Sequence, residues 1–219
     1  MTWHTDGMPL AVQGSLFDHP PGGPAALVAP AVPQPRRVEL AHGAWVDVQP
    51  HWLPGADTLF HRLLDAVPWV GERRRMYDRT VDVPRLLAFC GEGEALPDPL
   101  LAHSLELINA CYAPALGEPL VTAGFCLYRD GRDSVAWHGD DTGRSRTEDT
   151  VIAIVSLGSP RELALRPKGG RTAHRFALGH GDLVVMGGSC QRTWEHAVLK
   201  TTRAVGPRIS VQFRTRGVR

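Results

Sequence analysis

Arg208-Ile209-Ser210-Val211-Gln212-Phe213-Arg214 is a seven-residue run with strict alternation. Ile209, Val211 and Phe213 fall on one side of an extended chain, and Arg208, Ser210, Gln212 and Arg214 on the other. Two readings of the polar side compete. In an ordinary half-buried strand that side is solvated. In a barrel it is the interior, and two arginines six residues apart then require an anion, because burying an unpaired guanidinium is costly. A dicarboxylate that chelates a metal at one end and meets Arg208 at the other satisfies the second reading, since the arginine fork accepts a carboxylate in two places.

Upstream of this strand lie other short β-like runs, Gly124–Tyr128, Val135–His138, Val151–Leu157, Arg175–Leu178 and Leu183–Met186, separated by glycine-rich turns. A further short strand is expected at Ala44–Val48. Two helices precede most of them. Leu59, Phe60, Leu63, Leu64 and Val67 recur at helical spacing within Asp57–Val67, and Leu100, Leu101, Leu105, Ile108 and Cys111 do so within Pro97–Cys111. Many strands after two helices predict an α+β protein, with a double-stranded β-helix (jelly-roll) core and supporting N-terminal helices.

Residues 1–36 are rich in Pro, Gly and Ala and bury too little to offset ordering entropy; they read as a flexible arm ahead of a single domain at 37–219. Within it, Gln13-Gly14-Ser15-Leu16-Phe17 resembles the short peptide by which bacterial repair and replication proteins dock on the sliding clamp. The competing reading is a small apolar staple folded back on the domain. Nothing in the first residues reads as a signal peptide, and no apolar run approaches the length of a membrane span. Four scattered cysteines without a CxxC pair fit free thiols in a reducing cytoplasm.

The net charge of +1 conceals an asymmetry. Met1–Gly143 carries ten basic and eighteen acidic residues, a balance of −8, whereas the remainder carries fourteen and five, a balance of +9. An anionic partner and mutual neutralisation of the two halves both account for it.

In Val135-Ala136-Trp137-His138-Gly139-Asp140, His138 and Asp140 stand two apart and share a face, and His196 in Trp194-Glu195-His196 can complete a two-histidine, one-carboxylate set. By itself the pattern is weak, because a hydrogen-bonded His138 beside a turn Asp140 produces it more often than a metal site does. His180-Gly181-Asp182 repeats it, and there a turn launching Leu183–Met186 is the preferred reading. His103 and His174 have no patterned partner and read as surface residues.

Leu127–Asp141, Val155–Gly158, His180–Gly188, Trp194–His196 and Pro207–Arg214 together resemble the AlkB family of Fe(II)/2-oxoglutarate-dependent nucleic-acid dealkylating dioxygenases, in order and at similar separations. Arg75-Met76-Tyr77 and Val83-Pro84-Arg85-Leu86 resemble its substrate-side segment. The resemblance implies Fe(II) held by His138, Asp140 and His196, with 2-oxoglutarate and O2 as cosubstrates. It implies Arg208 on the far carboxylate, with Tyr128, Ser210 and Arg214 as further cosubstrate contacts. An N-methyl group is then hydroxylated, and formaldehyde, succinate and carbon dioxide are released. N1-methyladenine and N3-methylcytosine in single strands are the expected targets.

The expected substrate contacts are Tyr77 as the stacking ring, with Arg75, Arg85 and Asp141. Arg73, Arg74, Arg79, Arg161, Arg166, Lys168, Arg171 and Arg175 are candidate phosphate contacts. The chain departs from the family at Cys126 and Ser210, where Asn is usual, at Thr142, where an acid is common, and at Phe89 and Cys90 in place of the usual aromatics. The departures at Cys126 and Ser210 require a rearranged cosubstrate network. The same iron site acting on a protein or small molecule, and a barrel that grips an anion without turnover, are the alternatives.

Overall fold

The computed structural model describes residues 30–76 and 79–218, the side chains of 73–82 excepted. Its strands are β1 (Arg36–Glu39), β2 (Ala44–Gln49), β3 (Val70–Met76), β4 (Arg79–Cys90), β5 (Leu120–Tyr128), β6 (Val135–His138), β7 (Ile152–Gly158), β8 (Arg161–Pro167), β9 (His174–Leu178), β10 (Asp182–Gly188), β11 (Trp194–Val198) and β12 (Arg208–Thr215). The helices are α1 (Ala56–Ala66), α2 (Pro99–Leu116) and the single turn α3 (Cys190–Thr193). The strands form an eight-stranded sheet, in the order β1-β2-β10-β7-β12-β5-β4-β3, and a four-stranded sheet, β6-β11-β8-β9. Every pairing is antiparallel. Two such sheets with helices on one side match the expected jelly roll.

Alternation along β12 determines what each face of the large sheet meets. Ile209, Val211 and Phe213 join Phe125, Val155 and Leu157 in a core covered by Leu59, Phe60 and Leu63 of α1 and Leu101 and Ile108 of α2. The opposite face contributes Cys126, Tyr128, Ile152, Ile154, Val184 and Met186 to a second core, against Leu163, Leu165, Leu178, Trp194 and Val198. The polar side of β12 faces into this inter-sheet space, so the barrel-interior reading of its arginines holds.

Local chemistry explains the helix limits. Asp98 caps α2 by accepting from the Leu100 amide at 2.8 Å, with Pro99 leading the first turn. Gly117, at φ 77°, closes the helix in the left-handed conformation. Arg62 reaches from α1 to the same Asp98 at 3.3 Å and ties the helices together.

The chain is packed on the domain before β1 begins. Trp52 Nε1 donates to the Ala31 carbonyl at 2.9 Å, and the Gln34 amide donates to Gln49 Oε1 at 2.7 Å. Residues 13–17 lie outside the described residues. All four cysteines are unpaired. Among the described residues no helix is long and apolar enough to cross a membrane.

Candidate iron and cosubstrate site

His138 ends β6 and His196 lies in β11, directly opposite in the ladder between them. Their rings stand 4.3 Å apart between centroids. Asp140, two residues beyond His138, brings Oδ1 to 3.5 Å from His138 Nε2. One ligand atom from each of the three residues lies within 4.8 Å of those of the other two.

The protonation states suit a cation. His138 Nδ1 lies 2.8 Å from the Ala136 carbonyl, which can only accept, so Nδ1 is the donor and Nε2 is the ring nitrogen that faces the cluster. Burial, with His138 alongside, pushes His196 down to about 3 against the pull of Asp140, so its imidazole is neutral. Burial alone would raise the Asp140 carboxyl, but Arg214 and the two histidines outweigh it and hold the group at about 2. Asp140 is therefore ionised.

The loop carrying Asp140 is anchored through the backbone. Its amide donates to Gln191 Oε1 of α3 at 3.1 Å, and its carbonyl accepts from Ser145 Oγ. Gln191 is 1% exposed and sits three residues before β11, so one side chain couples the carboxylate loop to the strand bearing His196.

The three residues open into a cavity of about 860 Å³, which Tyr128, Arg208, Ser210, Gln212 and Arg214 also line. Arg208 is 2% exposed. Its Nε donates to Ser156 Oγ at 3.0 Å, and its guanidinium carbon lies 5.3 Å from the Tyr128 ring centroid. Burial weakens its hold on the proton, with Tyr128 and Cys126 acting the other way. Arg208 Nη1 is buried without a protein acceptor. Burial likewise pushes the Tyr128 hydroxyl up, keeping it protonated as a donor. Arg214 donates to Asp140 Oδ2 at 3.2 Å and to Gln212 Oε1 at 3.0 Å.

The expected substrate contacts are placed less uniformly. Arg85 lines the cavity and donates to the Ser134 carbonyl at 3.2 Å. Asp141 instead pairs with Lys168 at 2.8 Å, whereas Gly139, Asp140 and Thr142 on either side of it line the cavity. Val70 and Phe89, 63% and 56% exposed, form an apolar stretch of the wall. Tyr77 and the side chains of Arg73, Arg74, Arg75 and Arg79 lie outside the described residues.

Among the phosphate candidates, Arg161 is structural. It is 5% exposed and donates to the carbonyls of Asp130, Asp133 and Leu199, bracing the turn before β6 and the exit of β11. Arg166 pairs with Glu195 and lies 4.4 Å over the Trp137 ring, and Arg175 pairs with Glu162. Arg171 is exposed. His180 Nδ1 accepts from the Gly158 amide at 2.8 Å in a turn where Gly181 takes φ 79°, as expected for a residue outside the metal set. His103 lies against Glu106, and His174 stacks on Phe176.

Gln191 went unnoticed in the sequence, and the roles of Arg161, expected on a phosphate, and of Gln212 were not foreseen. Arg161 and Gln191 act on residues 28 to 51 positions away, and no local pattern marks that. Gln212 did carry a signal, its place on the polar side of β12.

Residues 63–214 match the model of the 2OG-Fe(II) oxygenase superfamily. "Alpha-ketoglutarate-dependent dioxygenase alkB homolog 3" of Mus musculus is 31% identical over 221 residues, 86% of this chain and 76% of the mouse protein. Its Bos taurus counterpart is also 31% identical, over 74% of this chain, which spans only 62% of the bovine protein. "DNA oxidative demethylase ALKBH2" of Arabidopsis thaliana is 26% identical over 83% of this chain and 69% of its own length. The fold is shared with a Pseudomonas putida prolyl-4-hydroxylase, at a TM-score of 0.53 and 22% identity over 81% of this chain and 95% of that one.

The residues fit the groups this superfamily uses. Two imidazoles and a carboxylate on one face suit Fe(II) with three positions left open, and the unpartnered N–H of buried Arg208 suits the far carboxylate of 2-oxoglutarate. On the family match and the mouse relative together, the chain belongs to the 2OG-Fe(II) oxygenase superfamily and, within it, to the AlkB family.

Proposed function

We propose that this protein oxidatively demethylates N-alkylated bases in DNA or RNA, with single strands as the preferred form. The observation that supports it most is the pairing, in one cavity, of the His138–Asp140–His196 cluster with a fully buried Arg208 whose Nη1 has no protein partner. The AlkB relatives support the substrate class, since one of them is named a DNA oxidative demethylase. The prolyl hydroxylase likeness is one of fold alone and favours no peptide substrate.

Bound Fe(II) supplies the redox chemistry, in which O2 and 2-oxoglutarate become succinate and carbon dioxide while a substrate N-methyl gains a hydroxyl. The resulting N-hydroxymethyl group loses formaldehyde and leaves the N–H base. The protein's own residues orient and shield. Arg208 and Tyr128 seat the cosubstrate's far carboxylate, and Arg214 holds Asp140 ionised and fixed. The buried apolar residues Ile152, Ile154, Leu163 and Leu178 keep the cavity wall dry. The target base enters by extrusion past the Val70/Phe89 wall and Arg85, with Tyr77 and Arg75 proposed on the substrate side. We extend the reading to a cytoplasmic setting, consistent with four unpaired cysteines, and to docking of Gln13–Phe17 on a bacterial sliding clamp.

The test is a panel of single- and double-stranded oligonucleotides carrying N1-methyladenine or N3-methylcytosine, set beside peptides, with Fe(II), 2-oxoglutarate and air. Formaldehyde release with loss of the base methyl is expected on the oligonucleotides. Succinate production accompanied by no demethylation of any oligonucleotide would overturn the substrate assignment. A Leu16→Ala/Phe17→Ala variant should lose clamp binding and keep catalysis; equal clamp binding by both proteins would remove the docking role.

A further inference from the structure

Gln212 stands midway along the polar face of β12, between Ser210 and Arg214, and all three line the cavity. Gly124 of β5 lies opposite it in the ladder. A Cβ at Gly124 would stand 2.8 Å from Arg214 Nη1 and 3.3 Å from Gln212 Oε1, so the glycine leaves the space both side chains occupy.

The hydrogen bonds of Gln212 determine which way its amide points. Arginine has no acceptor, so the oxygen must face Arg214, whose Nη2 donates to it at 3.0 Å. The amide nitrogen then faces Ser210 Oγ at 3.0 Å and Cys126 Sγ at 3.2 Å, and it donates to both. Both protons of the amide are engaged. Ser210 is thereby the acceptor in its bond to Gln212, which leaves its own hydroxyl proton free to donate elsewhere. Ser210 is 3% exposed and the cavity is the open direction beside it. A hydroxyl fixed as a donor toward this space suits an anionic occupant, and Arg214 meets Asp140 at the other end of the same chain of bonds.

We propose that Gln212 is a positioning residue for the cosubstrate: its amide orients the Ser210 hydroxyl as a donor to a bound carboxylate and holds Arg214 in place. This rests on the reading of the cavity as a 2-oxoglutarate site. The amide works through Ser210 and Arg214 and is assigned no contact with the reacting atoms.

The orientation makes a prediction that bulk or stability alone does not. Gln212→Glu keeps the shape and strengthens the pair with Arg214, but its carboxylate accepts the Ser210 proton and points that hydroxyl away from the ligand. Binding of 2-oxoglutarate is measured by calorimetry on the full chain loaded with Mn(II), which supports binding without turnover. Gln212→Glu should weaken it about tenfold, the scale of one charge-assisted hydrogen bond. In a Ser210→Ala background the same substitution should change affinity by less than about twofold, since no hydroxyl remains to be misdirected. Mn(II) affinity, titrated in the same preparations, should stay within about threefold of the parent.

Additive effects of the two substitutions, or wild-type affinity in Gln212→Glu, would overturn the inference while leaving the cosubstrate site intact. No binding of 2-oxoglutarate by the wild-type Mn(II) protein would instead remove the reading on which it rests. Should Gln212→Glu fold poorly, Gln212→Met in the same cycle serves, because it keeps the volume and removes the donor; the same non-additivity is expected and additivity again counts against the role.

Discussion

Arg208 carries a charge in a place that stability alone does not favour. It is 2% exposed, one nitrogen is bonded to Ser156, and another has no protein partner. Burying an ion costs several kcal/mol unless it is compensated, and an isosteric apolar residue often replaces it without loss. Arg208→Met is therefore expected to leave the ligand-free protein at least as stable to thermal unfolding as the parent, while 2-oxoglutarate affinity falls about tenfold or more. A clear drop in ligand-free melting temperature with unchanged affinity would make Arg208 a structural residue. The proposed metal ligands separate just as cleanly. His138→Ala should abolish iron-dependent succinate formation and His180→Ala should spare it, because His180 is engaged in the Gly158 turn. Both assays use iron-supplemented protein, and a reversal of the pattern would reassign the ligand set. His138 and Asp140 were legible because strand geometry makes an i, i+2 pair converge, whereas Gln191 was not, because it meets the Asp140 amide across 51 residues.

β12 was readable at the level of elements because each of its faces has one kind of neighbour, apolar helices on one side and the cavity on the other. β8 was harder to see. Leu163 and Leu165 point into the inter-sheet core, yet Arg161 is also buried, compensated by three carbonyls, and Ala164 is fully covered, so the alternation blurs. β4 was hidden by Pro84, which ordinarily argues against a strand interior. Here it falls where the pairing with β3 shifts register between Gly71 and Arg73, and its carbonyl accepts from the Ser134 amide at 2.8 Å. On β5 the informative residue is Gly124. Its φ lies outside the left-handed range, so alanine there reduces the freedom of the unfolded chain and favours folding by about 0.4–1 kcal/mol where space allows. The space is held by Arg214 and Gln212, long side chains that can yield. Gly124→Ala should thus melt within a few degrees of the parent, yet raise the KM for 2-oxoglutarate several-fold as Arg214 is displaced. Equal kinetics would show that this glycine has no part in the site.

Across the whole molecule, the −8 and +9 balances are partly neutralised by ion pairs that bridge the two halves. Arg144–Glu118, Lys168–Asp141, Arg214–Asp140 and Arg216–Glu92 all join a basic residue after Gly143 to an acidic one before it. Folding itself thus accounts for part of the asymmetry, and the exposed Arg146, Arg171, Lys200 and Arg203 remain for an anionic partner. Arg214–Asp140 differs from the other three in that it lies at the cavity, where both sheets converge through β12, β6 and β11. A metal bound by His138, Asp140 and His196 would bridge the two sides of that space, and a dicarboxylate reaching Arg208 would add a second tie between the metal and the large sheet. Ligands that bind only the folded state stabilise it by about 2.7 kcal/mol at one hundred times their dissociation constant. At about 2–4 °C per kcal/mol for a domain of this size, Mn(II) with 2-oxoglutarate should raise the melting temperature by about 5–10 °C. The increments should be ordered: 2-oxoglutarate alone should give little, because in the proposed site one end of it would be held by the metal, and its effect should appear once Mn(II) is present. Asp140→Asn should lose both increments, and Arg208→Met should keep the metal's and lose the cosubstrate's. A full 2-oxoglutarate shift in metal-free protein, or in Arg208→Met, would place the dicarboxylate somewhere other than between the metal and β12.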